Sequence, residues 1–192
     1  GANRLGGNSL LDTIVFGTIA GSNAAKYVQG LGSRKGEGAL NDALKRAEQK
    51  IDTLCKSEGK EIPADIKASL NKVMDNKVGI FREASKLKEA LNEVKDLQGQ
   101  YKQIKLNYIG KRTNLSLVWA LELKGDLDVA EAVIAGALTR EESRGSHSRT
   151  DFPKRDDAGW LKHTLAYFTP EGVRLDYKPV NIGPFEPKER KY

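Results

Sequence analysis

Ala39-Leu-Asn-Asp-Ala-Leu-Lys-Arg-Ala-Glu-Gln-Lys-Ile-Asp-Thr-Leu54 puts Leu40, Leu44, Ala47, Ile51 and Leu54 at alternating steps of four and three, with Ala43 beside them. That spacing lines one face of an α-helix and no face of a strand. Lysines, glutamates and aspartates fill the remaining positions, so the other face is wet. Ser57-Glu-Gly-Lys60 ends the helix, and Ile62-Pro63 opens another, where a proline in the first turn forfeits no hydrogen bond. Ile66, Leu70, Val73 and Met74 form the next stripe, before Asn76 and Gly79 interrupt it. Leu87, Leu91, Val94, Leu97, Tyr101 and Ile104 form a further stripe. After a turn at Gly110-Lys-Arg-Thr-Asn114, a last helical segment runs from Leu115 to about Leu138, with a break expected at Gly125-Asp126. Its Val129, Ala130, Ala132, Val133, Ala135 and Ala137 are small enough for close packing. Met74, Tyr101 and Tyr108 are expected in the core. Short loops and wide apolar stripes imply antiparallel helices around one shared core.

Beyond that segment the pattern changes. Glu141 to Asp157 is crowded with ions: Arg144, Arg149 and Arg155 against Asp151, Asp156 and Asp157. Two readings compete here. Either the stretch is tied down by an ion-pair network, or Arg140 and Arg144 merely complement the dipole at a helix C-terminus. The period then becomes two. His163-Thr-Leu-Ala-Tyr-Phe168 alternates, Thr169-Pro-Glu-Gly172 turns, and Val173-Arg-Leu-Asp-Tyr-Lys178 alternates again, which is a β-hairpin closed by Pro179. Pro184 to Tyr192 reads as an extended end that docks on a partner or frays.

The opening is chemically the most specific part. Gly1-Ala-Asn-Arg-Leu-Gly-Gly-Asn-Ser-Leu-Leu-Asp12 is a glycine-bracketed polar turn feeding an apolar helix from Leu10 to Tyr27. Asn8 and Ser9 are both good N-caps, and Arg4 is the cation of the loop. A helix N-terminus with unpaired N–H groups attracts anions, and an arginine fork grips a carboxylate in a way a lysine cannot reproduce. The plainer alternative is a turn plus a cap with a solvated Arg4. Leu11, Ile14, Val15, Ile19 and Ala20, with Gly17 and Gly21 one turn apart, predict a helix buried on several sides.

This opening resembles the signature of the flavoprotein subunit of succinate dehydrogenase and fumarate reductase. Arg140-Glu-Glu-Ser-Arg-Gly-Ser-His147 is similar to a second element of that family, and Asp151-Phe-Pro-Lys-Arg-Asp-Asp157, Trp160-Leu-Lys-His-Thr164 and Tyr177-Lys-Pro-Val180 follow in the family's order. The resemblance covers the whole chain and is weakest in the helical middle. It implies that Arg4 binds a carboxylate of a dicarboxylic acid and that Asn8, Ser9 and Leu10 contact FAD at the pyrimidine side of its isoalloxazine. A helix N-terminus aimed there favours the charge that gathers on reduction.

The resemblance also implies a division: residues 1–36 as the end of an FAD-binding domain, 37–140 as a helical bundle, and 141–192 as a charged loop, hairpin and tail. The implied fold is mainly α, an antiparallel three- to four-helix bundle (spectrin-repeat-like) with an N-terminal FAD-domain helix and a small C-terminal β-hairpin. The implied partners are an iron–sulfur subunit, a dicarboxylate and, indirectly, membrane anchor subunits. The implied place is peripheral on the cytoplasmic face of the membrane, or cytoplasmic. The family's dinucleotide-binding glycines, its flavin-bearing histidine and its proton-moving arginine lie upstream of these motifs. The chain alone is therefore expected neither to hold FAD nor to turn over succinate, and no catalytic residue is assigned within it. Gly30-Leu-Gly-Ser-Arg-Lys-Gly36 is no substitute: its third glycine is one position late and it follows a helix, not a strand.

Composition narrows the rivals. The 192 residues are 39% hydrophobic and 30% charged, with a formal charge of +6. Lysines and glutamates alternate along the helices without a basic, aromatic-interleaved stripe, so a nucleic-acid partner is not expected. Cys55 is the lone cysteine, and His147 and His163 are too few for a metal cluster. The alternatives retained are an L-aspartate oxidase of the same superfamily and a non-enzymatic basic helical interaction module.

Overall fold

Fully buried side chains recur at steps of three and four along three helices, and those stripes set the architecture. The computed structural model describes residues 8–32, 36–110, 112–184 and 186–188, and the backbone alone at Asn8, Ser9 and Glu37. It falls into two compact units, within Asn3–Asp52 and within Thr53–Tyr192.

The first unit holds α1 (Asn8–Gly30) and most of α2 (Glu37–Cys55). The helix expected to be buried on several sides is instead open: Ile14 is 68% exposed and Phe16 63%. With only two helices described, this unit has too little apolar surface to enclose a helix that is apolar on most sides. The predicted helical extents are otherwise met within a few residues.

The second unit is an antiparallel bundle of α3 (Pro63–Val73), α4 (Ala84–Tyr101) and α5 (Leu115–Thr139). Ile66, Leu70 and Val73 from α3 meet Leu87, Ala90, Val94 and Leu97 from α4. Ala120, Leu123, Leu127, Ala130, Ile134 and Ala137 from α5 complete the core, and Leu54 at the end of α2 joins it. Pro63 occupies the first turn of α3, as its fixed φ favours. Asn114 caps α5 by accepting the Leu117 N–H at 2.9 Å. A π-helical turn, Met74–Val78, continues α3 where Asn76 interrupted the pattern.

Two expectations fail here. α5 runs unbroken through Gly125-Asp126, because Leu123 and Leu127 are buried on either side and Lys124 pairs with Asp128 one turn on. Burial of the two leucines outweighs the roughly 1 kcal/mol that a helical glycine costs relative to alanine. Tyr108 is half-exposed and lies past the end of α4, outside the core, while Tyr101 donates its hydroxyl to the Ala120 carbonyl at 2.9 Å.

The loops close on one another by short backbone pairings. Glu61 N–H donates to Gln103 O and Lys105 N–H to Glu61 O, at 2.9 and 2.8 Å, which ties the entry of α3 to the exit of α4. Gly59 lies so close to the Gln103 carbonyl that a Cβ there would collide with it. β1 (Phe81–Arg82) pairs in parallel with β2 (Ser148–Arg149), joining the turn before α4 to the stretch after α5.

A short helix, α6 (Asp157–Trp160), leads into the hairpin of β3 (Lys162–Thr169) and β4 (Gly172–Pro179). Its antiparallel register runs from Lys162 opposite Pro179 to Thr169 opposite Gly172. β3 and β4 both pack on α5. Gly172 has φ +121° and a Cβ built there would sit 2.8 Å from Glu131 Oε1, so the tight approach needs glycine twice over.

Candidate functional site

The residues assigned by the sequence lie at the start of the chain. Arg4 falls outside the described residues. Asn8 and Ser9 are the first residues of α1, and Leu10 follows in the same turn with its side chain 77% exposed. The leading N–H groups of a helix have no intrahelical acceptor. The end of α1 thus presents backbone donors next to an exposed leucine.

The second motif region is a knot of charges. Glu142 is fully buried and accepts from Arg140 Nη1 at 2.6 Å, Arg144 Nε at 2.8 Å, Arg144 Nη2 at 3.0 Å and the Asp156 N–H at 2.8 Å. Burial alone pushes its carboxyl up. The hydrogen bonds from Arg144, Asp156 and Arg140 outweigh that and hold it below the ordinary glutamate range. Arg140 also donates to the Trp160 and Lys162 carbonyls and to Thr164 Oγ1, which fixes the entry to the hairpin. Arg144 reaches Asp157 at 2.6 Å, and Arg155 pairs with the same carboxylate.

Arg149 is 1% exposed. Its Nη1 donates to the carbonyls of Ala137, Leu138 and Arg140 at 2.8, 2.9 and 3.2 Å, capping α5. Its other two nitrogens grip Asp151 with two parallel bonds of 2.8 Å. Arg149 holds the Asp151 carboxyl far below the ordinary aspartate range, against burial, and the Ala84 N–H bond adds to the effect. Through that bond, at 2.9 Å, Asp151 serves the N-terminus of α4 from 67 positions away.

His147 bridges the knot to β1. Arg82 Nη1 lies 3.1 Å from Nδ1, and the Arg140 carbonyl lies 3.1 Å from Nε2. Arginine only donates and a carbonyl only accepts, so the ring is neutral and carries its proton on Nε2. Burial lowers its pKa, the Arg140 carbonyl bond opposes this, and Arg82, Arg149 and Arg140 lower it further.

This arrangement holds structure together. Its carboxyls are ionised and saturated by arginines, and both nitrogens of His147 are taken. Of the two readings of residues 141–157, the geometry therefore gives the network, with the helix-end role carried by Arg149. Arg82 gave no signal in the sequence: it is one cation between Phe81 and Glu83, and its partner lies 65 positions away. Among the described residues no cluster of metal-ligating side chains occurs. An open groove of about 560 Å³ is lined by Ile62, Pro63, Trp119 and the Lys67–Asp126 pair among others.

Residues 67–192 match the family model described as fumarate reductase flavoprotein C-term. The chain is 35% identical over 193 residues to the fumarate reductase flavoprotein subunit of Haemophilus influenzae, covering all of this chain and 32% of that protein. It is 38% identical over 183 residues to the succinate dehydrogenase flavoprotein subunit of Rickettsia bellii, covering 95% of this chain and 30% of that one. Among solved structures, E. coli quinol fumarate reductase superposes with a TM-score of 0.92 at 33% identity, over 98% of this chain and 33% of that chain. The chain thus spans about a third of the length of the curated relatives it matches.

Proposed function

Since the chain belongs to the fumarate reductase and succinate dehydrogenase flavoprotein family and corresponds to its C-terminal region, we propose that it completes the dicarboxylate- and flavin-binding site of a subunit that interconverts succinate and fumarate. Residues 1–36 would close the FAD-binding domain, 37–140 would form the supporting bundle, and 141–192 would fasten the end of the chain to it. The observation that carries the proposal is α1. It begins at Asn8, four positions after Arg4 in the sequence, and its apolar side chains, with Leu10 foremost, stand open to receive a covering domain.

In this reading Arg4 grips one carboxylate of the substrate and fixes its orientation. Asn8, Ser9 and the backbone of the first turn of α1 hold the pyrimidine edge of FAD, while Leu10 packs beside it. FAD, when bound, supplies the hydride acceptor; the described residues supply position and field. An iron–sulfur subunit is the proposed electron acceptor and anchor subunits the proposed link to the membrane. No helix among the described residues is long and apolar enough to cross a membrane itself, and the quinol-linked relative supports a peripheral place on one.

The test is Arg4→Lys in the full-length flavoprotein assembled with its partners. Flavin content should be unchanged, and kcat/KM for succinate should fall by about a hundredfold, roughly 2.7 kcal/mol of transition-state binding. Unaltered kinetics would remove Arg4 from the site. Activity with aspartate but not succinate would transfer the chain to the aspartate-oxidising branch.

A further inference from the structure

The turn before α4 and the stretch after α5 are joined along one narrow seam. Phe81 and Arg82 pair with Ser148 and Arg149, the Thr150 N–H donates to Arg82 O at 2.8 Å, and Arg82 Nε is held by the Val78 and Gly79 carbonyls. His147 sits at the head of that seam, taking a bond from Arg82 and giving one to the Arg140 carbonyl. We propose that His147 is an acid-released clasp: the neutral ring closes the seam, and protonation opens it.

The reason is the company the ring keeps. Arg82 faces it from β1, Arg140 from the end of α5 and Arg149 from β2, and its backbone pairs with that of Arg144. The carboxylates in the knot are already engaged, Glu142 by Arg140 and Arg144 and Asp151 by Arg149. An imidazolium would lose its acceptor nitrogen, so the Arg82 bond would go. It would also stand as a fourth cation among three guanidiniums, beside carboxylates that are already taken. Burial and those arginines place the transition below the ordinary histidine range. The pairs made by Glu142 and Asp151 outlast it, because both carboxyls are held low. Release therefore loosens one edge of the knot and spares the rest.

Hydrogen exchange on the full chain, expressed as protection factors so that intrinsic pH effects cancel, reads this directly. Between about pH 7.5 and pH 5, protection at the Thr150 amide should fall about tenfold. The Asp156 amide, bonded to Glu142, and the core amides of Val94 and Leu127 should hold. In His147→Gln, which can accept and donate but not titrate, Thr150 protection should not depend on pH. Equal pH dependence in that variant would overturn the proposal. Should the variant not fold, NMR titration of the wild-type ring decides: an Nε2–H tautomer losing the Arg82 contact on protonation supports the clasp, and a ring that stays in place through its titration refutes it.

Discussion

Replacing Arg149 by methionine keeps most of the buried volume and removes every hydrogen bond of the side chain. The Ala137 and Leu138 carbonyls at the end of α5 then lose the Arg149 donor, the Ala137 bond being buried, while the Arg140 carbonyl keeps its bond from His147. Each buried polar group left unsatisfied costs about 1–3 kcal/mol. Asp151 loses its partner too, but its side chain is 31% exposed, so water answers part of that loss. The stacking of the guanidinium over Phe152, 4.9 Å from the ring centroid, is largely kept by the methionine thioether. The sum is about 3–5 kcal/mol, the range found when one partner of a buried pair is removed. Against a total stability of about 5–15 kcal/mol this is a large fraction. Urea unfolding should show the midpoint lowered by about 2 M with the slope unchanged. Arg149→Lys separates charge from geometry. A lysine restores one point donor and cannot serve three carbonyls and a bidentate carboxylate together, so it should recover less than half of the loss. A methionine variant within about 1 kcal/mol of the wild type would mean that the carbonyls find other partners, and the account of Arg149 as the cap of α5 would be wrong.

Two other perturbations test the same fold. Asp151 has a folded pKa depressed by Arg149, so its contribution is present above the unfolded carboxylate range and is lost as pH falls toward the folded value. In urea series from about pH 6 to pH 2, the stability gap between wild type and Asp151→Asn should narrow on acidification, and a constant gap would contradict the pairing. Gly172→Ala must place a Cβ at φ +121° and 2.8 Å from Glu131 Oε1; a loss of about 1–3 kcal/mol is expected in thermal unfolding, and a neutral result would mean that the hairpin tip can move off α5.

The helices and the hairpin were legible because their signals are local. Leu87, Val94 and Leu97, or Ile66, Leu70 and Val73, announce a buried stripe from spacing alone, and the alternation around Thr169-Pro-Glu-Gly172 fixes the hairpin register to the residue. What was not legible depends on partners far along the chain. A glycine beside an aspartate reads as a break, and nothing local to Gly125 reveals that Lys67 crosses from α3 to pair with Asp126 while the flanking leucines are buried. Tyr108 continues the arithmetic of α4, yet the helix has already ended at Tyr101 and its next residues turn to pair with Glu61. The openness of α1 was misjudged for a related reason. Its composition records the burial its side chains require, and composition cannot say which part of a protein provides it.

The site was legible to different depths at its two ends. At the opening, spacing offered only a turn, a cap and a cation; the resemblance supplied the roles of Arg4, Asn8, Ser9 and Leu10, and those roles stand as proposals. In the charged stretch the sequence displayed the ions without their order. Glu142 is flanked by Arg140 and Arg144, two positions away on either side, a spacing that on a helix would point the three apart. The geometry works because the chain has left the helix at Arg140, whose backbone is extended at φ −82° and ψ 100°. Once extended, positions two apart fall on one side, and Arg140, Glu142 and Arg144 converge. Arg149 and Asp151 repeat the same interval and make the same bidentate pair. Ending α5 therefore does two things at once: it exposes carbonyls that need a donor, and it switches the side-chain period so that the following residues can build one. A substitution that prolonged the helix past Arg140 would dissolve the knot without touching a single one of its charges.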